Sequence, residues 1–553
     1  MAEMEILEKV QSICPVCRKP LTAAYTARED GVYIEKECPD HGSFRAPVAS
    51  TVEEYRRWTA REVVNIPPPV ALSPGVEGEC PLHCGPCERH LQTTCCVLID
   101  ITSRCNQHCP YCFARADEGE ADEPSLAEIE RKYDLLREMG EEECPYNIQL
   151  SGGEPTVRDD LPEIVRLAVE KGFRYIQLNT NGRRIAEEEG YAEKLKEAGV
   201  SAVFLQFDGM SDEVYLRTRG EPLLEKKKQT VINCRRAGLP VTLVPTVVRD
   251  VNLDQIGPMI RYLLDNVDVI KGIHFQPVSY FGRHPREEQR VTMFDVLHAI
   301  EEQTDDIHVD DFCPITTGHT LCCFYSTFLK EGDHVVCQLS EETKSVGTSC
   351  CCGTETDSRI EIIRRDREFV LNKWDLPGSA SDGACCCEGT EPAGAEACCE
   401  GTEPAGAEAC CCEETEPAGA EACCGGETAS TEAEPCCCEE TEPAKTESCC
   451  EEAAKAASCC DNAASAGRPC CPEAAPSETE SCCGGEPDGE EIPDLDEFLR
   501  RYKTHLFTLT GMAFMDGSNL DAERLRRCRV VQLTDDDNLV PFCAYNTIWR
   551  GER

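Results

Sequence analysis

Between residues 97 and 280, short apolar runs alternate with amphipathic stretches of helical period, and this alternation leaves the chain few folds. VLIDIT (97–102) leads into a cysteine-bearing loop and then into LAEIERKYDLLREMG, a helix capped by Ser125. NIQLSGGEP (147–155), YIQLNTNG (175–182), AVFLQFDG (202–209) and PVTLVPTVV (240–248) are each followed by a helical pattern, and IHFQPVSY (273–280) is a sixth strand. Strands joined through helices cannot pair as hairpins, so the sheet they form is parallel. Six such units predict an α/β fold, a partial (β/α)6 barrel over 97–300. Barrels of this kind collect their functional groups at the C-terminal ends of the strands.

The loop after the first strand reads CNQHCPYC. Its Cys105, Cys109 and Cys112 have the spacing C-x3-C-x2-C, and the same spacing occurs upstream at Cys80, Cys84 and Cys87. Three thiolates so spaced on one loop suit three corners of a [4Fe–4S] cube. The chain holds 43 cysteines in 553 residues. More than half lie at 350–352 and in pairs or triplets from Cys385 to Cys483, within a repeat of GTEPAGAEACC. That tract is almost free of Leu, Ile, Val and aromatic residues, so it cannot bury enough apolar area to offset its ordering entropy. Residues 377–491 are therefore expected to be a disordered acidic insert. Its vicinal thiols suit soft-metal binding or dithiol exchange, or the tract is a plain linker.

The formal net charge is −48. This disfavours nucleic acid and anionic membrane surfaces as partners, since both call for basic patches. No run of 18 apolar residues exists, and MAEMEILEKV lacks a basic region followed by an apolar one, so neither a membrane span nor a secretory signal is expected. A long chain of this kind is a poor disulfide scaffold. Metal-binding thiolates in a reducing cytoplasm are the expectation.

Outside the barrel, Cys14-Pro-Val-Cys17 and Cys38-Pro-Asp-His41 flank a plausible hairpin. Two C-x2-C/H half-sites suit a zinc ribbon over 1–60, or mononuclear iron if the fourth ligand differs. Within 61–96, Cys80, Cys84 and Cys87, with Cys95 or Cys96 as a fourth thiolate, suit a fully ligated auxiliary cluster, or alternatively a zinc knuckle. The extension 301–376 holds Cys313, His319, Cys322, Cys323 and Cys337, and 492–553 holds Cys528 and Cys543. Cys313, Cys322, Cys528 and Cys543 are candidates for a second auxiliary [4Fe–4S] cluster. Isolated Cys144 and Cys234 read as small core residues.

CNQHCPYC after the first strand, SGGEPT (151–156) after the second, and the barrel periodicity together resemble the radical SAM superfamily. The resemblance implies a cluster on Cys105, Cys109 and Cys112 with one iron open to S-adenosylmethionine (SAM). It implies reductive cleavage of SAM to a 5′-deoxyadenosyl radical, and a low-potential electron donor such as ferredoxin or flavodoxin. It also implies that Gly152 and Gly153, helped by Glu154, meet the methionyl amine, with Asn179, Thr180, Asn181, Asp208 and Gln276 as candidates for the ribose and carboxylate. CPVC…CPDHG, CGPCERH–TCC and GMAFMDGSNLDAERLRRC…VPFCAYN further resemble a branch holding archaeal tetraether lipid synthases and methanogen pterin-core methylases. That implies C–C bond formation or methylation at an unactivated carbon of a lipid or a small heterocycle. The CC-repeat and the Cys528-Arg529 pair depart from the branch. A peptide-modifying maturase and a non-enzymatic metal-handling protein are the competing readings.

Overall fold

Alternation along the first barrel strand already separates two surfaces. In β5 (Cys96–Thr102), Val97, Ile99 and Ile101 are fully buried in the main apolar core, and Cys96, Leu98 and Asp100 point the other way. The same alternation runs through β6 (Asn147–Gly152), β7 (Ile176–Thr180), β8 (Ala202–Gln206), β9 (Val241–Val244) and β11 (Ile270–Pro277). Ile148, Leu150, Leu178, Val203, Leu205, Leu243 and Ile273 enter the core that packs the helices. Each contributes about 1.5–3 kcal/mol by burial.

These strands are parallel, in the order β11-β9-β8-β7-β6-β5. The expected strand over 240–248 is broken at Pro245, which has no N–H for the ladder. A short β10 (Thr246–Val247) resumes it and pairs with β11. Helix Leu126–Met139 has the predicted Ser125 cap, as a full capping box with Glu128, and helix Leu224–Ala237 fills the predicted 225–237 stretch.

The computed structural model describes residues 4–61, 80–82, 85–87, 89–116, 123–140, 146–285, 289–315, 318–339 and 504–550, all within one compact unit. Cys84, Cys144, Cys350 to Cys352 and the insert over 377–491 lie outside the described residues. Among the described helices, none is long and apolar enough to cross a membrane.

The C-terminal segment contributes strands to the barrel sheet. Strand β14 (Leu506–Met512) lies parallel to β11, with Gly272 opposite Thr508, and β15 (Val530–Leu533) lies parallel to β5, with Val530 opposite Cys96. β12 (Cys323–Glu331) and β13 (His334–Cys337) extend the first flank antiparallel, and β16 (Leu539–Pro541) extends the second. The barrel sheet thus gains both flanks from beyond residue 300.

The N-terminal strands β1 (Glu5–Ile13), β2 (Pro20–Arg28), β3 (Gly31–Cys38) and β4 (Gly42–Ala49) form a separate antiparallel meander. It docks on residues 516–521. Ser12 Oγ donates to Leu520 O at 2.5 Å, Lys36 Nζ to Gly517 O at 2.6 Å, and Tyr25 Oη to Asp521 Oδ2 at 2.8 Å.

Candidate active site

The cysteine loop is seated by the backbone of the glycine turn. Gly153 N donates to Thr102 O at 2.7 Å and Glu154 N to Arg104 O at 2.9 Å. The approach leaves no room for side chains. A Cβ on Gly152, whose φ is +119°, would lie 2.2 Å from Thr102 O, and one on Gly153 would lie 2.1 Å from Arg104 O. On its other side the loop exchanges two 2.8 Å hydrogen bonds between Cys112 and Arg283 backbones, and Arg283 Nε donates to Cys109 O at 2.9 Å.

Cys105, Cys109 and Cys112 all line one cavity of about 330 Å3 at the C-terminal ends of the strands, as the barrel geometry requires. Gly152, Gly153, Glu154, Asn179, Thr180, Asn181 and Gln276 line it too. Burial pushes the Cys105 thiol up to about 12 and raises Cys109 as well. Such thiols ionise only with a strong local cation, which an iron cluster supplies. Three soft donors on a tight loop, beside a glycine cradle that a Cβ would fill, fit a three-thiolate cluster with SAM against the turn.

Glu154 is 2 % exposed and organises the strand ends. Its Oε1 accepts from Thr156 N, Thr156 Oγ1 and Thr180 Oγ1, and its Oε2 accepts from Asn181 N at 2.6 Å. Asn181 Nδ2 in turn donates to Asn106 Oδ1 in the cysteine loop at 2.7 Å.

Asp208 departs from the sequence expectation. It is absent from the cavity wall and fully buried beneath it, with both oxygens engaged. Arg219 Nε and Nη2 donate to it at 2.6 and 2.9 Å, and Thr218 Oγ1, Gln206 Nε2 and Thr246 N complete its shell. Burial alone would raise its carboxyl, but Arg219 and these hydrogen bonds outweigh it and hold Asp208 below its ordinary range. Asp208 therefore acts through Arg219, which reaches Tyr111 O at 3.1 Å and the Cys109 thiol.

The N-terminal half-sites meet. Cys14, Cys17, Cys38 and His41 bring one ligand atom each within 4.8 Å of all the others, with Cys17 and Cys38 Sγ 3.9 Å apart and Cys38 Sγ 3.5 Å from His41 Nδ1. Tetrahedral Zn–S bonds of about 2.3 Å call for sulfurs at roughly that separation. Burial opposes ionisation of Cys14, but backbone N–H groups of Cys17 and Val16 and the neighbouring thiols win, bringing it down to about 7.

The remaining cysteines separate. Burial, then the neighbouring Cys543 and Cys322 thiols, push Cys528 well up, so these three share one neighbourhood, and Arg524 Nε lies 3.4 Å from Cys322 Sγ. Leu82, between Cys80 and Cys84, packs on the apolar cluster that contains Cys543. Cys87 and Cys95 are part-buried. Cys96 instead lies inside β5 with its thiol against Gln149, and Cys313 is fully buried with Sγ 3.8 Å from Tyr325 O. Both are drawn into the barrel sheet and its flank, and Cys234 is core as expected.

Arg219, Arg283, Gln149, Gln206 and His274 were not singled out in the sequence, yet all line the cavity. For Gln149, Gln206 and His274 the usable signal was period two: NIQL, IQLNT, FLQ and IHFQ each place polar residues on one face of an otherwise apolar strand.

Comparison with known proteins agrees with this site. The radical SAM superfamily profile matches residues 99–263, and the HMPTM N-terminal zinc ribbon domain matches residues 6–50. The chain is 32% identical over 553 residues to the 7,8-dihydro-6-hydroxymethylpterin dimethyltransferase of Methanocaldococcus jannaschii, covering 99% of this chain and 94% of that one. It is 32% identical over 226 residues to a probable GTP 3',8-cyclase of Methanothermobacter thermautotrophicus, covering 41% of this chain and 72% of that one. Among solved structures, Streptococcus suis SuiB bound to S-adenosylmethionine is similar at a TM-score of 0.34 and 15% identity, over 38% of this chain and 47% of that one. With the cysteine triad on its glycine cradle, the ribbon ligands converged and near end-to-end similarity, the chain belongs to the radical SAM enzymes, in the family of the 7,8-dihydro-6-hydroxymethylpterin dimethyltransferase.

Proposed function

We propose that this enzyme methylates a pterin-type heterocycle, 7,8-dihydro-6-hydroxymethylpterin or a near relative, in a SAM-dependent radical reaction. The observation that carries the choice of substrate is the chemistry of the barrel lumen. Barrels of this class commonly fill the lumen with branched aliphatic side chains. Here Gln149, Asn179, Gln206, Thr246, His274 and Gln276 line the cavity, with the half-buried Phe204 among them. Several of these groups already bond within the protein, but a lipid chain would give their remaining donors and acceptors no partner, at a cost of about 1–3 kcal/mol for each one left unmet. The arginines of the wall are committed, Arg219 to Asp208 and Arg283 to the Cys109 and Ala116 carbonyls, which disfavours a polyphosphate.

On this reading Cys105, Cys109 and Cys112 hold the [4Fe–4S] cluster, which with SAM supplies the radical chemistry when bound. Gly152 and Gly153 shape the methionyl seat, and Asn179, Thr180, Asn181 and Gln276 orient the rest of the cofactor. Cys14, Cys17, Cys38 and His41 hold zinc. Cys322, Cys528 and Cys543, with Cys80, Cys84 and Cys87, are the residues for one or two auxiliary clusters fed by a low-potential donor such as ferredoxin or flavodoxin. The carbon added must come from a molecule other than the SAM cleaved to the radical, so the test is anaerobic reconstitution with iron and sulfide, then incubation with reductant, the dihydropterin and excess SAM, with and without a folate-type one-carbon donor. A mass gain of one or two methyl groups is expected. 5′-Deoxyadenosine formation stimulated by lipid or peptide but not by the pterin would overturn the reading.

A further inference from the structure

Arg524 is a buried cation that, among the described residues, makes no ion pair with a carboxylate; its side chain is 6% exposed. Glu523, its neighbour in sequence, pairs with Arg526 and Arg527 instead. Asp521 directs its oxygens to Tyr25 Oη and to the backbone N–H groups of Glu523 and Arg524. Burial raises the Asp521 carboxyl, which weakens it further as a counter-charge. A charge held inside a protein is costly unless an anion faces it.

What faces Arg524 is sulfur. Its Nε lies 3.4 Å from Cys322 Sγ, and its Nη2 donates to Ala513 O at 2.8 Å. Ala513 N donates in turn to Cys322 O at 2.8 Å, which fixes the guanidinium in register with this cysteine. Burial opposes the charge on Arg524, but the Cys322 sulfur beside it outweighs burial. Burial also pushes the Cys323 and Cys543 thiols up to about 12, and Arg524 acts against that rise in both. Cys543 Sγ accepts a further hydrogen bond from Met515 N at 3.2 Å. Cys528 N donates to Leu525 O at the end of helix Ala522–Arg526, the same helix that carries Arg524. Soft donors gathered around one fixed cation fit an iron–sulfur cluster, because a cube held by thiolates is an anion and a set of neutral core thiols is not.

We propose that Arg524 is the charge partner of the auxiliary [4Fe–4S] cluster held by Cys322, Cys528 and Cys543, and that its charge and its Nε–H bond to sulfur raise the reduction potential of that cluster. This rests on the auxiliary-cluster reading above and adds the residue that tunes it. Net charge and hydrogen bonds to sulfur are the means by which a protein sets such potentials. Reduction adds one electron, drawn from the low-potential donor, with no bond broken and no proton moved. The added negative charge then lies against a guanidinium that cannot deprotonate. Without Arg524 the same electron enters an apolar site, and the reduced form is destabilised.

The experiment is a potentiometric titration of the anaerobically reconstituted enzyme, followed by electron paramagnetic resonance. The signal lost in Cys543→Ala belongs to the auxiliary cluster, and the signal lost in Cys109→Ala belongs to the barrel triad. Arg524→Gln should lower the auxiliary midpoint by about 59 mV or more, a tenfold change in the reduction equilibrium for one electron, and leave the barrel midpoint in place. Arg524→Lys keeps the charge and should recover at least half of the shift. Zinc content equal to wild type shows that each variant has folded, and Arg524→Met serves if Arg524→Gln does not fold. A folded variant that loses the auxiliary iron supports the proposal when Arg524→Lys restores that iron, whereas iron lost from both would place the role in packing and overturn it. If the auxiliary midpoint of Arg524→Gln equals that of wild type, Arg524 does not tune the cluster and the cluster reading stands. If Cys543→Ala removes neither iron nor a signal, both fall.

Discussion

Arg219 donates through Nε and Nη2 to the two oxygens of Asp208 at 2.6 and 2.9 Å, directly beneath the cysteine loop. Asp208 is fully buried, and Arg219, which reaches the cavity wall, is 8% exposed. From the same guanidinium, Nη1 reaches Tyr111 O and Nη2 reaches Thr246 Oγ1. One ion pair thus sets the height of the loop residue before Cys112 against the ends of the strands.

Asp208→Asn leaves a buried guanidinium without its counter-charge. Breaking such a pair costs about 3–5 kcal/mol. The expected outcome is a large drop in the urea midpoint, with less iron retained on reconstitution. A midpoint within experimental error of wild type would show that the pair does not hold the loop.

Cys109→Ala should remove the iron that depends on the barrel triad and leave the ribbon zinc in place, because the two donor sets share no residue. Metal analysis reads both, and the visible absorbance of the protein before reduction follows the iron cluster. 5′-Deoxyadenosine formation should fall to background. Loss of zinc in the same variant would show that the two sites do not load independently.

Gly153→Ala introduces a Cβ that would meet Arg104 O at 2.1 Å, well inside van der Waals contact. Backbone must move, and what moves is the first turn of the cysteine loop. SAM affinity should fall by about tenfold or more, measured by equilibrium binding to the reconstituted protein. Gly190, with nothing within 4 Å of its added Cβ, is a control for crowding, although its φ of +75° still disfavours alanine.

Lys271, in β11, is 2% exposed and donates to Val267 O and Thr504 O at 3.0 and 3.1 Å. Burial brings it down to about 8. The folded chain gives up this proton as pH climbs through that value, whereas the unfolded chain keeps it up to about 10.4. The unfolded state therefore binds more protons in this window, and stability from this group rises with pH, by at most about 1.4 kcal/mol per unit. Lys271→Met should flatten the rise in urea midpoint between pH 8 and 10. An unchanged slope would place the pH dependence on another group.

The sequence by itself determined the parts that are short-range. Cys105, Cys109 and Cys112 belong to one loop, and their spacing follows from the reach of consecutive residues. Cys14 with Cys17, and Cys38 with His41, are likewise two local turns, and the hairpin between them closes the site. Period-two strands joined by helices fixed the parallel barrel. Tertiary structure alone decided that β14 and β15 take opposite flanks of one sheet, since strand pairing across hundreds of residues leaves no local trace. It moved Asp208 off the cavity wall, because a helix C-terminal to its strand delivers Arg219 to it. It also divided the dispersed cysteines, placing Cys96 and Cys313 in the sheet and gathering Cys322, Cys528 and Cys543. The physical reason is the same each time. A thiol or carboxylate has its chemistry from its own atoms, but its partner, and therefore its role, comes from whichever distant strand or helix the core packing brings beside it.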